Sequence, residues 1–199
     1  MHVSIIGMGL IVGIIQNFLI NSISYKITGI KTETFNIFVP IICSLCYEIL
    51  FFRLSFTTIL IKSIIMTTIL IIISFVDIKH KIIPDFMAIL TLVVGIVISF
   101  AVKTSLIDSV LGMLCGGGIM FIIGLVPNMI GGGDIKLMFA LGAFLGANRT
   151  LWALLLAFFI SAIVGIILIV FKIKARSDYI PFGPFLSLGS FISILIFNV

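Results

Sequence analysis

Long apolar stretches fill most of the chain, and charged residues or Gly/Pro breaks separate them at fairly regular intervals. A helix needs about 20 residues to cross the hydrocarbon core of a membrane. The pattern therefore predicts an all-α polytopic membrane helix bundle of about eight transmembrane segments, in one domain over residues 1–199. The predicted segments are 3–25, 36–52, 54–76, 83–102, 106–127, 134–148, 150–171 and 181–198. The sixth is short, so we expect it to be tilted or to share its depth with the glycine-rich turn before it.

The composition supports a membrane protein. Hydrophobic residues make up 62% of the chain and charged residues 10%, whereas a soluble domain has about 25% charged residues. The first apolar stretch lacks the basic start and the small-residue cleavage site of a signal peptide, so we expect a retained membrane helix. The net charge of +5 would indicate nucleic acid or anionic lipid in a soluble protein. Here the lipid bilayer is the expected partner, and nucleic acid is not.

Positive charge is unevenly divided between the two sets of loops. Eight crossings place both termini on one side of the membrane, and cytoplasmic loops carry an excess of Lys and Arg. With the N-terminus outside, the basic residues of the inner loops outnumber those of the outer loops. We therefore predict that both termini lie outside. The inner set is Lys26, Lys31, Lys79, Lys81, Lys136, Lys172, Lys174 and Arg176, and the outer set is Arg53, Lys103 and Arg149.

Potential metal ligands are few. Cys43 and Cys46 form a C-x-x-C within an apolar segment and have no second pair, so a zinc or redox site is not expected. Cys115 is interpreted as a small packing residue, and His80 as a loop residue. We predict neither a metal nor a cofactor.

Most of the seven acids have structural interpretations. Glu33 and Asp178 lie in predicted cytoplasmic loops. Asp108 is near a helix start, where an acid complements the helix dipole. Asp85 follows Pro84 at the start of a helix and is interpreted as a capping carboxylate.

Glu48 and Lys62 lie inside consecutive predicted spans. At 1.5 Å per residue they are about 8 and 12 Å below the outer ends of their helices. Because each charge alone is costly in hydrocarbon, we expect the two side chains to face each other or to share polar neighbours.

Asp77 and Asp134 are the remaining acids. Asp77 ends the third predicted span, and Asp134 begins the sixth, directly after "GGG". In the predicted topology both lie at the cytoplasmic edge of the bilayer, so they can meet. Two carboxyl groups a few Å apart share a proton, which lets one donate a proton while the other activates water, as in aspartyl proteases. The alternative is a glycine turn followed by an N-cap aspartate.

Several motifs resemble those of the type IV prepilin peptidases. The segment "GGGDIKLMFALGAFLG" is similar to the family's G-x-G-D region, and "DIKHKIIPD" to its first aspartate region. Further similarities are "IPFGPFLSLGSF", "LINSISYKI" and a glutamate in the second helix, Glu48. This resemblance implies a bacterial intramembrane aspartyl endopeptidase, with Asp77 and Asp134 as the catalytic pair and Gly131, Gly133 and Lys136 as motif neighbours. Its implied substrates are prepilins or pseudopilins, whose short basic leader is removed after a glycine at the cytoplasmic face of the cytoplasmic membrane.

The chain departs from the family in one connection. Many bacterial members have a cytoplasmic insertion with two zinc-binding C-x-x-C pairs after the first helix, whereas residues 26–35 here contain no cysteine. We therefore expect N-methylation of the product, the second activity of many members, to be absent or weak. The alternatives are a proton-coupled transporter, a non-enzymatic pilus or secretion assembly factor, and a presenilin-like protease. The last pairs Gly-x-Gly-Asp with Tyr-Asp, whereas Val76 precedes Asp77 here.

Overall fold

Eight helices account for nearly all of the described structure. The computed structural model describes residues 2–30, 34–55, 57–102, 105–127, 129–175 and 178–197, and these residues contain no strand. The predicted all-α bundle of eight helices is confirmed, with most boundaries within a few residues. Lys31, Glu33, Lys103 and Arg176, which entered the sequence predictions, lie outside the described residues. The helices are α1 (His2–Thr28), α2 (Phe38–Leu54), α3 (Thr58–His80), α4 (Asp85–Ala101), α5 (Leu106–Gly124), α6 (Gly132–Leu145), α7 (Ala147–Val170) and α8 (Gly183–Ile196).

Long and short helices alternate along the chain. The odd-numbered helices α1, α3, α5 and α7 are long and apolar enough to cross a membrane. The even-numbered helices have 14 to 17 residues, and a 14-residue helix is about 21 Å long, less than the hydrocarbon thickness of about 30 Å. The chain therefore forms a polytopic membrane bundle whose short helices pack against long ones. The side on which the termini lie stays a prediction.

The short helix α6 lies in the core of the bundle. Leu137, Met138 and Leu141 are fully buried, and α6 packs against α4, α5, α7 and α8. Its closest contact is with α5, where the backbones of Gly112 and Gly142 meet so tightly that a Cβ on either would overlap the other. This contact explains how a helix of only 14 residues is held at a fixed depth.

Helix α3 is longer than predicted and includes the first aspartate segment. It continues past the predicted end at residue 76 to His80, and the backbone N–H of Lys81, in the left-handed conformation, donates to the Asp77 carbonyl at 2.7 Å. Basic side chains suit the last turn of a helix because they complement its dipole, and Pro84 stops further helix. The prediction that His80 is a loop residue is therefore wrong. Its ring lies 2.8 Å from the hydroxyl of Ser24 in α1.

Asp85 does not cap its own helix. The N-cap position of α4 is Pro84, which makes no side-chain capping bond. The Asp85 carboxylate instead accepts a hydrogen bond from Lys136 of α6 at 2.7 Å. The capping prediction is wrong because a cation from a neighbouring helix comes within reach, and the ion pair joins α4 to α6.

Three charged side chains meet at the opposite end of the bundle. Lys62, only 7% exposed, lines a cavity of about 320 Å³ with Asp108 and Arg149. Asp108 lies in the first turn of α5, as predicted, and its carboxylate accepts the backbone N–H of Ala147 at the start of α7. Lys62 thus shares a cavity with an acid, the exposed Asp108, while its pairing with the half-buried Glu48 stays a prediction.

Two arginines hold the C-terminal end of α8. The Arg53 side chain donates to the Leu195 carbonyl at 3.1 Å, and the Arg149 side chain donates to the Phe197 carbonyl at 3.0 Å. The last carbonyls of a helix have no partner within the helix, and a cation there complements the dipole. These bonds fix α8 against α2 and α7, and the other end of α8 reaches Asp77.

Candidate active site

Asp77 and Asp134 line one cavity of about 210 Å³. Asp77 comes from the last turn of α3 and Asp134 from the first turn of α6. Both are almost completely buried, with 2% and 4% of their surface exposed. The structure therefore brings together two carboxyl groups that are 57 positions apart in the chain, in a region shielded from bulk water.

The carboxylate of Asp77 is held by the N-terminus of α8. The backbone N–H of Gly183 donates to Asp77 Oδ2 at 2.9 Å. A carboxylate in the last turn of a helix faces the negative end of that helix's dipole, so the donor must come from elsewhere. Gly183 is the first residue of α8, where N–H groups lack partners within the helix and the dipole is positive.

Because Gly183 has no side chain, it leaves room for the Asp77 carboxylate. A Cβ at residue 183 would lie 2.7 Å from Asp77 Oδ2, so a larger residue would displace the carboxylate. The segment Pro181–Phe182–Gly183–Pro184, identified in the sequence only by resemblance, thus has a physical role beside the site. Sequence reasoning did not identify this role, because the hydrogen bond joins residues 106 positions apart.

Asp134 is held by its own helix. Gly131 is the N-cap of α6 and lies beside the Asp134 side chain, since a Cβ at residue 131 would be 3.2 Å from Asp134 Oδ2. An acid three residues after the N-cap is a favourable position, because its side chain reaches back to the free backbone N–H and complements the dipole. The alternative interpretation of Asp134 as the N-cap residue itself is wrong, although a local stabilising role is present.

The three glycines before Asp134 have different surroundings. A Cβ at residue 133 would lie 3.0 Å from the side chain of Ile83, and one at residue 131 would lie 3.2 Å from the Asp134 carboxylate. A Cβ at residue 132 would meet nothing within 4 Å. Gly131, at the N-cap, has a φ of −73°. In the G-x-G-D pattern, Gly131 therefore leaves room for the Asp134 carboxylate, and Gly133 leaves room for Ile83.

Two other polar side chains line the cavity, and one predicted neighbour does not. Lys81 and Tyr179 complete the polar lining. Lys136, expected as a motif neighbour, does not line it and pairs with Asp85 on the exposed surface. Lys81 was predicted only to orient a loop, and nothing in the sequence pattern around Tyr179 indicated a site residue.

The residues present do not fit a zinc site. The described residues contain no group of three or more His, Cys, Asp or Glu side chains that could hold a metal ion. Cys43 and Cys46 are free thiols on α2, and Cys43 is buried. Structural zinc needs four ligands, so we derive no step through a metal.

The arrangement at the cavity suits acid–base chemistry. Two buried carboxyl groups in one cavity favour a shared proton over double ionisation. Each lies beside a helix N-terminus, Asp77 at that of α8 and Asp134 at that of α6. A water molecule between them would have both a proton acceptor and a proton donor within reach.

A larger cavity has no such chemistry. It has a volume of about 500 Å³, lies between α4, α5 and α6, and is lined mainly by apolar side chains such as Leu92 and Phe121. Neither Asp77 nor Asp134 lines it. The candidate active site is therefore the smaller cavity.

Comparison with known proteins identifies the family of the chain. A sequence model of the type IV leader peptidase family matches residues 64–170, which include both aspartates and more than half of the chain. The chain belongs to the type IV leader peptidase family. The matched region extends from within α3 to the end of α7, so the contact from α8 to Asp77 lies outside it.

Curated relatives carry the name prepilin leader peptidase/N-methyltransferase. The protein of Aeromonas hydrophila is 30% identical over 140 residues, which cover 67% of this chain and 48% of that protein. The protein of Legionella pneumophila is 32% identical over 149 residues, with coverages of 70% and 51%. The chain thus spans about half the length of the curated relatives it matches. No solved structure matches the chain significantly.

Proposed function

We propose that this leader peptidase family member is an aspartic endopeptidase that uses Asp77 and Asp134 to hydrolyse a peptide bond at the membrane edge. The observation that carries the proposal is that these two buried carboxyl groups line one cavity. The family membership and the names of the relatives support cleavage of leader peptides. The proposed substrates are prepilins or pseudopilins with a short basic leader.

The reaction begins with one carboxyl group ionised and one protonated. The carboxylate takes a proton from water, the water oxygen bonds to the carbonyl carbon of the scissile peptide, and the other carboxyl group gives its proton to the carbonyl oxygen. The resulting diol loses a proton to the second carboxylate as the C–N bond breaks. The leaving nitrogen takes the proton held by the first carboxyl group. The products are a carboxylic acid and an amine, and the pair is again singly protonated.

The proposed orientation places the site at the cytoplasmic face of a bacterial cytoplasmic membrane. Lysines are concentrated at the end of the bundle that carries the aspartates, whereas Arg53, Lys62 and Arg149 lie at the opposite end. Cytoplasmic loops carry such an excess of positive charge, which supports termini on the outer side. The lysines at the aspartate end are Lys26, Lys79, Lys81, Lys136, Lys172 and Lys174.

The test is cleavage of prepilins from the same genome by purified enzyme in detergent, with products read by mass. Asp77→Asn and Asp134→Asn should each lower kcat by roughly 10²- to 10⁴-fold or more, since each removes a group that transfers a proton. Both variants should still insert into the membrane.

Asp85→Asn is the matched control. Its ion pair with Lys136 is exposed, with side-chain exposures of 66% and 56%, and such pairs contribute only about 0–1 kcal/mol. This variant should retain substantial activity. Normal turnover by either Asp77→Asn or Asp134→Asn would refute the proposed catalytic pair.

A further inference from the structure

Tyr179 is an ionisable side chain on the wall of the catalytic cavity, and its neutral phenol carries a hydrogen-bond donor. It lies in the connection before α8, four residues ahead of Gly183, and lines the same cavity as Asp77 and Asp134. Its hydroxyl lies near Gly131, since a Cβ at residue 131 would be 3.8 Å from the Tyr179 hydroxyl oxygen. Its side chain is 48% exposed, so the ring lies at the mouth of the cavity.

The hydroxyl is available to a ligand. Within the ranges that the structure describes, it donates no hydrogen bond. Partial burial and the charges of Asp134 and Asp77 raise the pKa of the Tyr179 phenol. The remaining charged side chain on the cavity wall is that of Lys81. Because the pKa is raised, the phenol stays protonated and keeps its donor throughout the neutral range.

We propose that Tyr179 is a catalytic residue whose phenol donates a hydrogen bond to the carbonyl oxygen of the scissile peptide bond as negative charge develops there. The inference rests on the proposed peptidase function and adds a third group to the pair. Its basis is the position of the hydroxyl on the wall of a cavity that both carboxyl groups line.

The phenol does not lose its proton in this role. When water bonds to the carbonyl carbon, the carbonyl oxygen receives its proton from the protonated aspartate, and Tyr179 donates a hydrogen bond to the same oxygen. A carbonyl oxygen has two lone pairs and can accept both. A donor placed where charge develops stabilises the transition state more than the bound substrate.

The first test is Tyr179→Phe, which retains the ring and removes only the hydroxyl. Loss of one such donor lowers kcat by about 100-fold in other hydrolases, and we expect a fall of that order with KM changed by less than about twofold. Binding of uncleaved prepilin to Tyr179→Phe in an Asp77→Asn background should equal binding to Asp77→Asn alone.

Tyr47→Phe is the matched control for a structural role. The Tyr47 hydroxyl lies 2.6 Å from that of Thr68, and the residue is buried in the bundle and does not line the cavity. This variant should lower the melting temperature and leave kcat unchanged. Tyr179→Phe should lower kcat and leave the melting temperature unchanged.

The second test replaces Tyr179 with a tyrosine fluorinated heavily enough that its phenol ionises at a lower pH than the alkaline limb of the wild-type kcat profile, which reports loss of the proton shared by the aspartate pair. A phenolate cannot donate a hydrogen bond, so the alkaline limb of the kcat profile should move to lower pH. A residue that only packs at the cavity mouth would not shift this limb.

The outcomes separate this inference from the proposed function. If Asp77→Asn and Asp134→Asn lose cleavage but Tyr179→Phe retains wild-type kcat, or changes only KM, the role of Tyr179 is overturned and the pair stands. An unmoved alkaline limb in the fluorinated enzyme would also overturn it. Normal cleavage by the aspartate variants would instead refute the proposed function.

Discussion

At the scale of single residues, each aspartate lies beside a different helix N-terminus. Asp77 accepts the N–H of Gly183, at 2.9 Å, from the start of α8. Asp134 lies in the first turn of its own helix, beside Gly131. Rigid backbone donors position a side chain better than mobile side chains do, because no rotamer has to be fixed.

Gly183→Ala tests whether the position of Asp77 matters. The new Cβ would lie 2.7 Å from Asp77 Oδ2, and the carboxylate can move aside at small cost because it is the end of a side chain. A displacement of about 1 Å at a catalytic group can cost about 10²-fold in rate. We expect kcat to fall by roughly 10- to 100-fold with little change in melting temperature.

Gly165→Ala is the control for this substitution, because a Cβ at that position in α7 meets nothing within 4 Å. It should leave kcat unchanged and the melting temperature unchanged or slightly higher, since alanine favours helix. Wild-type kcat in Gly183→Ala, measured with the same prepilin, would show that the carboxylate tolerates movement and that the contact is incidental.

Sequence patterns predicted Asp77 and Asp134 because acids are rare in so apolar a chain, and the two stand at ends of spans on the same predicted side. Gly183 and Tyr179 could not be placed beside them in this way. Their proximity depends on how α8 packs against α3 and α6. Neither hydrophobic periodicity nor the distribution of charge along the sequence predicts this packing. The ion pair of Asp85 with Lys136 was missed for the same reason.

At the scale of helices, glycine contacts set how closely neighbours approach. The backbone of α5 meets that of α6 at Gly112 and Gly142. Small residues allow such contacts between membrane helices.

The eight helices were predicted from hydrophobic length alone, but the end of α3 was placed four residues too early. Charged residues marked the predicted end of the span, whereas the helix continues until Lys81 adopts the left-handed conformation.

Gly112→Ala and Gly118→Ala form a matched pair on α5. A Cβ at residue 112 would overlap the backbone of Gly142 and Gly146, whereas one at residue 118 would meet nothing within 4 Å. Overpacking costs about 1–3 kcal/mol, so Gly112→Ala should lower the melting temperature in detergent by roughly 5 °C. Gly118→Ala should leave it unchanged or slightly higher, since alanine favours helix. Equal melting temperatures would show that α5 and α6 separate readily.

At the scale of the whole molecule, the described bundle supplies both acids and the backbone donor of Asp77. Asp77, Asp134 and Gly183 lie on α3, α6 and α8, and the described residues of the connection between α1 and α2 do not line the cavity. The zinc-binding insertion expected of many family members would fall in that connection. We therefore expect the proposed hydrolysis at this cavity to proceed without the insertion.

We predict metal-independent cleavage with weak or absent methylation. The test gives the enzyme a prepilin and labelled S-adenosylmethionine, with and without a chelator. Cleavage should be equal in both arms because neither carboxyl group needs a metal, and little label should reach the new N-terminus. The Aeromonas hydrophila relative, whose name includes N-methyltransferase, is the positive control for labelling.

Two results would contradict this prediction. Chelator-sensitive cleavage would show that a metal participates, although the described residues form no group of three or more potential metal ligands. Stoichiometric methylation would show that the donor binds among the helices without the insertion.

The anchoring of α8 at both ends makes its length a geometric constraint. Arg53 and Arg149 bind carbonyls at one end, and Gly183 binds Asp77 at the other. Its 14 residues span about 21 Å, and inserting one residue would shift the far end by about 1.5 Å and turn it by about 100°. The N–H of Gly183 would then point away from the carboxylate, so an insertion far from the site would misalign Asp77 as surely as a substitution beside it.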